Sequence, residues 1–167
     1  MASTNEIDDR GLKIISLSGA EEFRKEIPKL FNVSKEEILI TTGLYSEFYM
    51  DYEVRESLYG AIERGVKIKI IVDGDKKNDS EELSKIPWML NEIKKGKIKI
   101  RKCKSRIRHV MIVDKVHART EKPHPLEARN EYKNRIFYND PLAEFLANGL
   151  NLLWDDKDKC EDIELPK

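Results

Sequence analysis

Apolar positions along this chain change period from one segment to the next, and the changes mark out its elements. Phe23, Ile27, Leu30 and Phe31 recur at helical intervals behind Ser18-Gly19-Ala20-Glu21, which has capping-box spacing. The pattern predicts a helix over 19–31, bent or shortened by Pro28. The run from Glu37 to Thr42 reads as a buried strand ending at Gly43. From Phe48 to Arg64, Val54, Leu58, Ala61 and Ile62 share one helical face, and Gly65 stands where a helix C′ residue belongs. This strand-helix unit then repeats. Val66 to Val72 is a strand, Leu83, Ile86, Leu90 and Ile93 mark a helix stopping at Gly96, and 97–101 alternates as a strand with one wet face.

The second half adds an apolar strand over 110–113, an antiparallel return over 116–120 after a turn at Asp114-Lys115, and an edge strand over 135–138. Asn139-Asp140-Pro141 is a cap with proline at N1, followed by Leu142, Phe145, Leu146, Leu150 and Leu153 on one face of a last helix. Repeated strand-helix units imply right-handed crossovers and parallel pairing. The expectation is a single α/β domain over 11–157, its mixed, mostly parallel sheet flanked by helices on both faces. A flexible N-terminus over 1–10 and an acidic flexible tail over 158–167 complete it.

Composition narrows the function classes. Lysine plus arginine equals aspartate plus glutamate at 31 each, so no global field favours nucleic acid or an anionic membrane. Charged residues make up 37% of the chain, a balance that suits surface ion-pair networks and a thermostable protein. Cys103 and Cys160 have no metal-ligand spacing and read as reduced thiols in a cytoplasmic protein. Residues 1–10 lack a signal peptide's apolar core, and no apolar run approaches the roughly 20 residues of a membrane span.

The series helix, strand, helix, GVKIKIIVDGD, helix, KIKIRK, HVMIVD, hairpin and NDPLAEFLANGLNLLW resembles a single phospholipase D-superfamily module over residues 14–156. In that family an HxK sequence, four residues and an aspartate carry phosphodiester chemistry. Placing Asp114 on the family's aspartate puts His109 on the lysine position and Ile107 on the nucleophilic histidine. The family's later glycine falls on Glu121 and its asparagine on His124. The motif is therefore degenerate, and Ile107 can neither attack phosphorus nor transfer a proton.

The resemblance implies a site lined by His109, Arg119, Glu121 and His124, with Thr42 and Asp73 at the ends of two strands, where open α/β sheets bind ligands. Arg119 and Glu121 share a strand face by their spacing, and a donor beside a carboxylate suits a small polar or phosphorylated ligand. The favoured reading is a catalytically degenerate ligand-sensing or interaction module. The alternative is a homodimeric phosphodiesterase or nuclease with His109 as the catalytic group of a shared site. A second alternative is nucleic-acid binding by the basic run from Lys94 to Arg108, through Lys99, Arg101, Lys104 and Arg106. No cofactor is implied. Asp73 with Asp75, or His109 and His117 with Glu121 and His124, match no strong metal motif, so no metal is expected.

Overall fold

The computed structural model describes residues 4–7, 12–75, 77–121 and 134–167. In chain order the elements are β1 (Thr4–Ile7), β2 (Lys13–Leu17), α1 (Ala20–Asn32), β3 (Glu37–Thr42), α2 (Ser46–Tyr49), α3 (Tyr52–Glu63), β4 (Lys67–Val72), α4 (Asp79–Ser84) and α5 (Pro87–Lys94). They continue as β5 (Ile98–Cys103), β6 (Val110–Val113), β7 (His117–Glu121), β8 (Asn134–Tyr138), α6 (Pro141–Asp155) and β9 (Cys160–Asp162). One sheet runs β1-β2-β8-β7-β6-β3-β4-β5-β9.

This is the mixed α/β architecture the sequence predicts, with helices on both faces. Ile38, Ile40, Ile68, Ile70 and Ile98 pack on one face of the sheet in the same cluster as Leu30 and Phe31 of α1, Leu58 of α3 and Met89 of α5. The alternate residues Leu39 and Ile112 face the other way, against Ala143 and Ala147 of α6. The balance of strand directions differs from expectation. Among the described residues only β3–β4 and β4–β5 pair in parallel, and the other neighbouring strands are antiparallel. Helical crossovers enforce parallel pairing only where they occur, and the strands beyond them turn back through hairpins or lie on the edges.

The two glycine stops are built as expected. Val66 N donates to Ala61 O and Gly65 N to Ile62 O; Lys97 and Gly96 repeat the pattern on Glu92 and Ile93. Both are Schellman closures, with Gly65 at φ +80° and Gly96 at φ +73°. Two expected helices are each broken in two. Asp51 caps α3 by accepting from Glu53 N and Val54 N, and Pro87 opens α5 at its first turn.

Several outer segments also depart from expectation. The strand over 135–138 is interior because β2 covers it. At the ends of the sheet, 4–7 pair with β2 and 160–162 with β5. On α6, Asp140 caps Leu142 N at 2.9 Å as predicted, but Phe145 is 76% exposed. The inner face is set by Ala143 and Ala147, four residues apart, with Leu146 and Leu150 packed at their flanks. Among the described residues no helix is long and apolar enough to cross a membrane.

Candidate functional site

The C-terminal ends of parallel β3 and β4 meet the start of β6, which runs antiparallel to β3. His109 therefore stands directly over these strand ends. Thr41, the penultimate residue of β3, fixes the chain on either side of it: its hydroxyl donates to Arg108 O at 2.6 Å and accepts from Val110 N at 2.7 Å.

Asp73, immediately after β4, supplies the first partner. Its Oδ2 lies 2.9 Å from His109 Nε2, while its Oδ1 accepts from Asp75 N at 3.1 Å and Ile107 N at 3.3 Å. The neighbouring loop is held close by Gly74, whose N–H donates to Ser105 O. A Cβ at Gly74 would sit 2.5 Å from Ser105 O and 2.7 Å from Cys103 O, so only glycine fits.

Glu121, at the end of β7, supplies the second partner. Its Oε2 is 3.7 Å from His109 Nδ1 and 3.8 Å from Arg119 Nη2. Arg119 is only 5% exposed. Its Nε donates to Asn134 Oδ1 at 2.8 Å, its Nη1 reaches His109 O at 3.5 Å, and its guanidinium lies 4.6 Å from the centre of the Phe23 ring. Burial pulls this guanidinium down to about 10, opposed by Glu121, and it stays protonated at neutral pH. The ring of Tyr45, from a loop in which Leu44 takes φ +56°, approaches His109 edge-on at 6.5 Å between centroids.

His109, Arg119, Glu121 and Asp73 thus converge. His124 is outside the described residues. Thr42 stands beside them, its carbonyl accepting from Asp73 N at 2.9 Å; its hydroxyl accepts from Leu44 N and from the buried Tyr49 hydroxyl, whose burial pushes it up to about 12. Asp114, on the family's aspartate position, sits at the far end of β6. Its carboxylate accepts from Lys35, Glu36 and Glu37 N at 2.8 to 3.0 Å, tying the turn to the entry of β3. His117 lies at that far end too, where its Nδ1 accepts from Asn139 N. Among the described residues no group of three or more His, Cys, Asp or Glu side chains is arranged to hold a metal ion.

The basic run is partly dismantled. Arg101 turns inward to donate to Trp154 O and to Cys160 O, and Lys102 pairs with Asp79 at 2.9 Å. Lys99, Lys104 and Arg106 are exposed, with Arg106 3.6 Å from Asp75. Sequence reasoning gave Thr41 no distinct role and missed Asn134, Tyr45 and Phe23 at the site. Their residue types are ordinary in strands and helices, and only the register brings them to His109.

The fold is that of a phospholipase D-like α/β module. Nuc from Salmonella typhimurium, a phospholipase D family member, superposes with a TM-score of 0.62 at 19% identity, over 92% of this chain and 97% of that one. NucT from Helicobacter pylori gives 0.62 at 14% identity, over 91% and 99%. TrmBL2, an archaeal chromatin protein with a novel mode of DNA binding, gives 0.69 at 19% identity over 90% of this chain. This chain spans 54% of TrmBL2. No protein-family model and no curated protein matches the sequence.

Proposed function

We propose that this phospholipase D-like module is a ligand-sensing or interaction domain that does not hydrolyse phosphodiesters. The observation carrying this reading is the setting of His109. Both ring nitrogens face carboxylates, Asp73 on Nε2 and Glu121 on Nδ1, so neither is turned toward a phosphorus atom. A nucleophile needs a lone pair free to attack, and phosphoryl transfer needs cations around the equatorial oxygens. Here two carboxylates stand against one buried guanidinium, a balance that repels a phosphodiester. It suits a small polar ligand that brings hydrogen-bond donors, taken between Glu121, His109 and the Tyr45 ring.

Thermal unfolding of the full chain against a panel of uncharged polyhydroxyl compounds, amines and phosphate esters tests this. A ligand should raise the melting temperature of the wild type, and Glu121→Gln and His109→Ala should lose that shift while keeping the fold. Stabilisation by phosphate esters alone, undiminished in both variants, would contradict it.

The second reading, a homodimeric phosphodiesterase sharing His109, draws support from the match to Nuc and NucT over nearly their whole lengths. It requires turnover that disappears in His109→Ala. Nucleic-acid binding, suggested by TrmBL2, would rest on Lys99, Lys104 and Arg106. Changing these three to Glu should then abolish a salt-dependent interaction with DNA.

A further inference from the structure

Cys103 closes β5 and Cys160 opens β9, and the two are paired directly across the antiparallel ladder. Lys104 N donates to Lys159 O at 2.9 Å, making 104/159 a hydrogen-bonded pair. Antiparallel pairs alternate, so 103/160 is the non-hydrogen-bonded kind, in which the side chains come closest and the Cα atoms stand about 4.5 Å apart. That spacing falls within the range a disulfide spans. Both side chains point to the α6 face, in one apolar cluster with Ile71, Ile107, Leu150, Leu153 and Trp154. Cys103 Sγ also lies 3.7 Å from Ser105 Oγ.

We propose that Cys103 and Cys160 are an oxidative modification site, a dithiol that closes to a cross-strand disulfide and fastens β9 to β5. The oxidant is a low-molecular-weight disulfide such as oxidised glutathione. One protein thiolate attacks it, releasing one glutathione thiolate and leaving a mixed disulfide. The second protein thiolate then attacks the protein sulfur of that bond and releases the other. Two S–H bonds are lost, one S–S bond forms, the two protons pass to the released thiolates, and the oxidant gains two electrons.

Access comes from the strand that would be fastened. Cys103 is 1% exposed and Cys160 fully buried, but β9 is three residues long at the sheet edge, a place where local opening is easy. Burial and the neighbouring Cys103 push the Cys160 thiol up to about 11, so exchange is slow in the closed state and waits on that opening. The pair also borders the ligand site, because the chain after Cys103 carries Ser105 O to Gly74 N and Ile107 N to Asp73 before reaching His109. Oxidation would stiffen that route.

The full chain, folded and without denaturant, is incubated across ratios of oxidised to reduced glutathione and quenched in acid. Intact mass and proteolytic peptides are then read without reductant. The expected product is a monomer lighter by two hydrogen atoms, with the peptides bearing 103 and 160 linked. Its melting temperature should rise by roughly 5–15 °C, reversibly with dithiothreitol. Cys103→Ser and Cys160→Ser should each abolish both changes. If either variant fails to fold, the linked peptide in the wild type decides alone. Stable mixed disulfides with glutathione, intermolecular dimers, or a bond that forms only in denaturant would each overturn the proposal.

Discussion

At the scale of single residues, the site depends on side chains that spend their hydrogen bonds on the backbone. The Thr41 hydroxyl satisfies Val110 N and Arg108 O at once, on either side of His109. Thr41→Val keeps the shape and removes both bonds, stranding the amide of the buried Val110. The expected cost is about 1–3 kcal/mol in denaturant unfolding, together with a weaker ligand-induced shift. An unchanged midpoint would mean that the clamp is ornamental. His117 acts at the other end of β6. Burial holds its imidazole below the ordinary 6.5, with Asp114 opposing, and its Nδ1 accepts from Asn139 N, which only an unprotonated nitrogen can do. The unfolded chain therefore takes up this proton first. The contribution to stability is fully present above about pH 6.5 and is lost as pH falls below it. Melting curves from about pH 7.5 to about pH 5 should drop less steeply for His117→Gln than for the wild type; parallel curves would remove His117 from the account.

At the scale of elements, capping and close approach place the site, and these were unevenly legible. Gly65, Gly96 and the Asp140-Pro141 cap announce themselves because each uses a residue type that turn geometry demands. Asp140→Ala should lose about 1 kcal/mol and roughly 2–4 °C in melting temperature. The breaks at Asp51 and Pro87 carried the same kind of signal, yet apolar periodicity runs straight through both and hides them. Gly74 stands in an Asp-Gly-Asp run that any turn could use. Its actual constraint, the backbone of Cys103 and Ser105 pressed against it, comes from packing between loops distant in sequence. Gly74→Ala must push apart two backbones that cannot rotate away, at about 1–3 kcal/mol, and should move Asp73 from His109. A variant as stable as the wild type, with ligand binding intact, would refute that constraint.

Across the whole molecule, the central strands were readable because β6 is apolar throughout and β3 and β4 carry dense isoleucine, leucine and valine. The outer strands were not. The β1 sequence TNEI and the β9 sequence CED have no periodic signature, and they order only because a neighbouring strand offers unpaired backbone groups. With β2 and β9 unseen, β8 passed for an edge and the sheet looked more parallel than it is. The same blindness affected the site. His109 stood out by its place in the motif, but its partners come from β4 and β7, and no spacing in the sequence says that both would be carboxylates aimed at one ring.

That double contact is the centre of the functional account. It is tested most directly by incubating purified protein with bis-p-nitrophenyl phosphate and with single-stranded DNA, with and without EDTA, beside His109→Ala. With His109 held between two carboxylates, neither protein should turn over either substrate. Metal-independent hydrolysis by the wild type that vanishes in His109→Ala would contradict it and establish a phosphodiesterase in spite of Ile107.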